Sequence, residues 1–232
     1  MAADEQFLPV EYSFDISYNI SVLKSFLDFG ELNVEKEIES LKEAYESRKK
    51  TIPYKLRKDN PDKFNEELDM VYNSLYDDWY LMDVQIRSRF RQSVLIQLYS
   101  FMEVQLFKQC ELHKWRNNKE YSVRELKGNT DLDKVALYYK NSVHFNIKEL
   151  KEWQFIDSFR RLRNLLVHHE GLITNEDDYN RMRKFEISCD IELKNYIEGE
   201  HLIVLSNTAF IEKCINNVKA FLLQTLVARK NE

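Results

Sequence analysis

Glycine and proline are scarce in this 232-residue chain, with 4 and 3 copies respectively. A β-sandwich or barrel draws on both residues for its many turns, so long helices with few connections fit better. Cysteine is scarce too. Cys110, Cys189 and Cys214 lie far apart without a CxxC pair, which argues against a disulfide framework or a zinc site and suits a reducing compartment. No apolar run approaches the ~20 residues that cross a bilayer. The opening Met1-Ala2-Ala3-Asp4-Glu5 is acidic where a secretory signal would be basic and then apolar. A cytoplasmic protein without membrane contact is the expectation. Excess positive charge is also missing. Lys and Arg total 34 against 39 Asp and Glu, a formal net charge of −5, which argues against a cationic coat for non-specific nucleic-acid binding. A local basic cleft remains compatible with it. Internal repeats and low-complexity segments are absent.

Apolar residues are plentiful. Hydrophobic residues make up 44% and aromatics 13%, enough to bury a core in one large domain. Residues up to about Asp15 read as an irregular arm that docks through Phe7, Leu8 and Tyr12. A helix from near Ser17 to Asp28 should end at Gly30, and a second should run from Asn33 to Lys50. Lys55 to Pro61 reads as a charged linker, with Pro61 as a first helical residue. Neither proline nor glycine occurs between Pro61 and Trp115, so one very long helix is expected, with a break around Tyr76-Asp77-Asp78. Its second half is apolar over a wide arc, with Ile86, Phe90, Val94, Leu98 and Phe101 as one stripe. That breadth suits the centre of a bundle. Residues 117–129 form a polar connection in which Ser122 caps a short turn, and a helix follows from about Asp131 to Asn141. A short helix is placed at Asn175 to Lys184. Strand formers at Ile187 to Leu193 and His201 to Leu205 flank Gly199 as a small hairpin, and a last helix runs from Ser206 to about Arg229.

The most informative stretch is Phe159-Arg160-Arg161-Leu162-Arg163-Asn164-Leu165-Leu166-Val167-His168-His169-Glu170-Gly171. It reads as the C-terminal half of a helix that begins near Ile147 and ends at Gly171. At about 100° per residue, Phe155, Phe159, Leu162, Leu165 and Leu166 share one flank. Arg160, Arg163, Asn164, Val167 and His168 share the other. A solvated flank would mix Lys and Glu, whereas arginines, an amide and an imidazole stabilise and shuttle charge on a phosphate.

Arg163-Asn164 followed by His168 resembles the signature of the HEPN superfamily, R-x(4–6)-H with a polar residue after the Arg. Leu162 to Gly171 looks like that family's motif helix and its end. Tyr99-Ser100-Phe101-Met102-Glu103 resembles its earlier core helix, where many members carry an acidic residue directed toward the active site. The resemblance covers roughly residues 85–230. It implies an all-α fold, a helical bundle of HEPN type with long antiparallel helices and a small β-hairpin before the last helix. In this reading residues 1–232 are one HEPN-like domain, with 1–60 as a helical extension and 61–232 as the core bundle holding the motif helix at 147–171. It further implies a homodimer whose motif helices face one another across a composite active site. An antitoxin or defence-system partner belongs to the same expectation. In a subset of the family a tyrosine two residues after the His is a modification site; Glu170 stands there in this chain.

Catalytic members of that family are metal-independent endoribonucleases, and the residues suit the chemistry. RNA brings its own nucleophile, the 2′-OH, and an imidazole exchanges protons in that step. A guanidinium stabilises the charge gathering on the phosphate, leaving a 2′,3′-cyclic phosphate and a 5′-OH. His168 is assigned acid/base work, Arg163 transition-state stabilisation, and Asn164 the positioning of Arg163 or the phosphate. No metal and no cofactor is implied. Arg160 is either a second phosphate contact or a surface pair with Glu152 or Asp157. Glu103 either orients Arg163 or pairs with another base. His169 shares the motif spacing but points toward Leu162 and Leu165, as a capping or core histidine. Arg181, Arg183 and Lys184 read as a solvated helix end more readily than as a rim for RNA. His113, His144 and His201 lack metal-ligand spacing. Two other classes compete with a toxin or antiviral endoribonuclease acting on RNA. One is a non-catalytic HEPN dimer module that binds RNA, nucleotide or a protein. The other, a coiled-coil adaptor, needs a sustained heptad that Ile86 to Leu106 does not keep.

Overall fold

The computed structural model describes residues 4–52, 54–116, 118, 121–189 and 191–228, with side chains described except at 4–9, 54–55 and 185–189. Helices dominate: α1 (Asp4–Thr51), α2 (Tyr54–Asp59), α3 (Pro61–Trp79), α4 (Arg87–Arg116), α5 (Asp131–Tyr138), α6 (Trp153–His168), α7 (Glu176–Cys189) and α8 (Ala209–Leu226). Wider π-helical turns follow α3 at Tyr80–Ile86 and α5 at Tyr139–Val143. Three short strands, β1 (Leu172–Ile173), β2 (Glu192–Ile197) and β3 (Glu200–Val204), make an antiparallel sheet in the order β1-β3-β2. The fold is therefore mostly helical with one small sheet. No helix of the described residues is long and apolar enough to cross a membrane.

Met1–Lys24 and Gln92–Glu232 form one compact unit, and Ser25–Arg91 a second, a grouping that cuts across the division at residue 60 drawn from the sequence. The core of the first unit is built from apolar residues at helical spacing. Leu95, Leu98, Tyr99, Met102 and Leu106 of α4 are buried, as are Ile156, Phe159 and Leu162 of α6 and Ile211, Ile215, Val218 and Leu222 of α8. Each such side chain contributes about 1.5–3 kcal/mol by leaving water. A buried polar cluster ties α4 to α8 and to the turn after α5. Gln109 Nε2 donates to the Leu222 carbonyl at 2.9 Å, Thr225 Oγ1 donates to Gln109 Oε1 at 2.7 Å, and the Tyr139 hydroxyl lies 3.1 Å from that same oxygen. His113 Nε2 is 3.3 Å from the Thr225 carbonyl. The start of α1 joins this unit through Ile16 and Ile20, both buried, and through Asp15, which accepts from Gln105 Nε2 at 3.0 Å.

In the second unit Arg91 Nε and Nη2, one edge of its guanidinium, each donate to an oxygen of Glu31 of α1 at 2.7 Å, and Arg87 approaches that carboxylate at 3.5 Å. Such bidentate pairs fix geometry as well as charge. Gly30 lies beside the Phe90 ring, so close that a Cβ there would sit 2.0 Å from Cζ.

Several sequence expectations change. The arm up to Asp15 is helical from Asp4, and Gly30 does not interrupt α1. The apolar repeat Ile16, Ile20, Leu27, Val34, Ile38 runs straight through it, so packing overrides the glycine's helix penalty. The docking of Phe7 and Leu8 lies outside the described side chains. The charged linker contains a turn and a half of helix, α2. Pro61 does open α3, and the Asn60 side chain caps it by accepting from the Lys63 N–H at 3.1 Å. The expected break falls later, at Tyr80–Ile86, as a π turn and not a gap. It rotates the helix face, and Ile86 is 40% exposed instead of lying in the core stripe. Ser122 caps its short turn together with Glu125. α7 continues past Lys184 to Cys189 and takes up the first part of the expected strand, which begins at Glu192. The hairpin itself is present, with Gly199 at φ 79° in its turn.

Candidate functional site

The helix carrying the Arg, Asn and His residues is α6, shorter at its start than the sequence implied. Ile147–Glu149 is a separate 3₁₀ turn, and the α-helix begins at Trp153. Its end is well defined. The backbone N–H groups of His169 and Gly171 both donate to the Leu165 carbonyl at 3.0 Å, while Glu170 at φ 53° and Gly171 at φ 81° reverse the chain. The chain then enters β1, and the Ile203 N–H donates to the Gly171 carbonyl at 2.9 Å. Gln92 of α4 donates to the carbonyl of the same Ile203 at 3.1 Å.

The two flanks are arranged as the 100° spacing implied. Phe159, Leu162, Leu165 and Leu166 are buried, with Phe155 half-buried; Arg160, Arg163 and Asn164 are half-buried and Val167 and His168 exposed. His169 is the C-cap of α6, as the capping alternative has it, but does not point toward Leu162 and Leu165. It is exposed because the helix stops at His168, and at φ −127°, ψ 12° the residue no longer follows the helical rotation. Neither imidazole has a described hydrogen-bond partner.

Arg163 is held by neighbours that leave its charge unneutralised. Its Nη1 donates to Asn164 Oδ1 at 3.2 Å, and its guanidinium carbon lies 5.7 Å from the centroid of the Tyr99 ring. Its Nε is buried without a hydrogen-bond partner. Among the described residues no carboxylate comes within ion-pair distance of it. Glu103, one turn after Tyr99 on α4, is half-buried. Burial raises its carboxyl above the ordinary value, while the positive charge of Arg163 pulls it back down. Tyr99 is 1% exposed and meets Phe159 edge-on at 5.4 Å. Burial, and then the charge of the neighbouring Glu103, push its hydroxyl well above the ordinary phenol range.

Arg160 has a different environment. Its Nη2 and Nε reach Asp157 Oδ1 at 2.8 and 3.1 Å, and Arg161 Nε approaches Oδ2 of the same carboxylate at 3.4 Å. Burial opposes the charge on Asp157, but the hydrogen bonds and charges of the two arginines outweigh it and hold the carboxyl below 3.8. The surface pair anticipated for Arg160 is therefore made with Asp157; Glu152 is buried and lies 3.5 Å from Lys151. Arg181, Arg183 and Lys184 are exposed on α7. His113 belongs to the buried polar cluster, and His201 stacks on Tyr179 at 4.1 Å. No group of three His, Cys, Asp or Glu among the described residues could hold a metal ion.

Arg163, Asn164 and His168 thus lie along one accessible flank of α6, with Arg160 tied to Asp157 and Glu103 inside. Tyr99 is the component that sequence reading missed. Its only signal was an aromatic one turn before an acid on a buried helix. No protein-family profile, curated protein or solved structure matches the chain.

Proposed function

We propose that the chain is a metal-independent endoribonuclease of HEPN type. One observation carries the reading: Arg163 presents an unpaired guanidinium on the same accessible flank as His168. A surface arginine kept for stability would be expected to find a carboxylate, as Arg160 does. Arg163 instead has an amide partner and an aromatic ring, which orient the cation without neutralising it. A phosphodiester supplies the missing anion. His168, open to solvent, serves to take the 2′-OH proton or to protonate the leaving 5′-oxygen. Arg163 stabilises the crowded phosphate between those steps, and Asn164 holds Arg163. One helix offers half of such a site, so a second protomer facing it completes the phosphate cleft. A role as a toxin or antiviral-defence effector, with an antitoxin or defence-system partner, is part of the proposal.

A second reading is a non-catalytic dimer module that binds RNA, nucleotide or a protein. It draws on the bare imidazoles, since a working acid/base histidine commonly has its second nitrogen fixed by a hydrogen bond. Incubating purified protein with total RNA in chelator, then mapping the new ends, separates the two. Cyclic phosphate and 5′-OH ends are expected, with Arg163→Ala and His168→Ala each reducing cleavage about a hundredfold or more. A requirement for magnesium, or cleavage that survives His168→Ala and fails in His169→Ala, would overturn the assignment. RNA retention without cleavage selects the binding module.

A further inference from the structure

Arg163 is a long side chain whose usefulness depends on the plane of its guanidinium. That plane carries five N–H donors in a fixed fork, and two contacts are needed to define it. Asn164 Oδ1 supplies one at 3.2 Å, but it comes from the adjacent residue and moves with the same helix. The other comes from α4. The guanidinium carbon lies 5.7 Å from the Tyr99 ring centroid, within cation–π range. Tyr99 is itself 1% exposed and met edge-on by Phe159, which is fully buried. The Tyr99 hydroxyl makes no hydrogen bond to Arg163, so the ring and not the oxygen is what Arg163 contacts; the neighbour of that hydroxyl is the Glu103 carboxylate. Glu103, one turn further along α4, acts on Arg163 through charge alone, outside ion-pair distance.

We infer that Tyr99 is a positioning residue, the platform on which Arg163 is laid so that its free edge faces a bound phosphate. The inference rests on the endoribonuclease reading for its role, though the contact can be measured without any activity. Tyr99→Phe keeps the platform, whereas Tyr99→Leu removes it and fills most of the space. The expected result is that Tyr99→Phe stays within about twofold of wild type. Tyr99→Leu should lower kcat roughly two- to thirty-fold, the span of one cation–π contact, with KM little changed. In an Arg163→Ala background Tyr99→Leu should add nothing. Tyr99→Met replaces the leucine variant if circular dichroism shows that one unfolded.

The independent measurement is the proton spectrum of the Arg163 side chain. Ring-current shifts should be present in wild type and Tyr99→Phe and lost in the aliphatic variants. Equal kcat in the phenylalanine and aliphatic variants, a Tyr99 effect that persists without Arg163, or absence of the ring-current shift in wild type would each overturn the inference. If wild type cleaves no RNA the functional reading fails on its own, and the ring-current shift alone decides whether Tyr99 holds Arg163.

Discussion

Arg160 and Arg163 lie a turn apart on α6 and differ in what satisfies them. Arg160 shares Asp157 with Arg161, and this pairing is a stability device with a predictable pH dependence. The Asp157 carboxyl is held below its unfolded value of 3.8, so its contribution is full above that value and is lost as pH falls through the folded one. Because the carboxylate is partly solvated, the effect is small. Asp157→Asn should cost at most about 1 kcal/mol at pH 7, and a series of urea titrations from pH 7 into the acid range should show the difference shrink as the carboxylate is protonated. The flank holding Arg163, Asn164 and His168 could be read from the sequence because rotation within one helix is arithmetic. Tyr99 could not, since the pairing of α4 with α6 depends on their relative axial position, which no local pattern encodes. His169 stands at the C-cap, as one of its two readings has it, but faces solvent and not Leu162 and Leu165, because helical rotation does not extend past the point where the helix ends.

At the level of elements, the sequence revealed helices wherever the apolar spacing was sustained, and went astray where a single residue was weighed above that spacing. Gly30 was read as a terminator. Its actual role is to leave room for Phe90, whose ring would be 2.0 Å from an added Cβ. Two effects therefore compete in Gly30→Ala. Helix propensity favours alanine by about 1 kcal/mol, and overpacking costs about 1–3 kcal/mol. A net destabilisation is expected in urea denaturation, reversed when Phe90→Leu is added to make space. The π turn at Tyr80–Ile86 illustrates the same limit. Its wider turns depart from the spacing of about 100° per residue on which the apolar stripe was drawn, and Ile86, its last residue, is 40% exposed.

For the molecule as a whole, the helical class followed from few glycines and prolines, and the small hairpin from β-formers around Gly199. The third strand, β1, is only two residues long and carries no pattern of its own. Stability of the whole chain should also report on His113, which is buried in the polar cluster against the Thr225 carbonyl. Burial first, and the nearby Arg116 charge to a lesser degree, lower its pKa below 6.5. The unfolded chain thus binds this proton more readily, and its effect is a loss of stability as pH falls below about 6.5. Glu103, raised by burial, acts in the opposite sense, so the informative comparison is between wild type and His113→Gln. The melting temperature should fall less between pH 7 and pH 5 in the variant. The bond from Ile203 to Gly171 has a further consequence. It makes the hairpin a clasp on the end of α6, and a clasp transmits constraint in both directions. If, as proposed, RNA binds beside the end of α6 and binds better when this clasp is closed, then bound RNA favours the closed clasp by the same factor, by the reciprocity of linked equilibria. On that proposal, amide exchange across Glu200–Val204 should slow when RNA is added, and a hairpin weakened at Ile203 should hold RNA less tightly, although no residue of that strand need touch the nucleic acid.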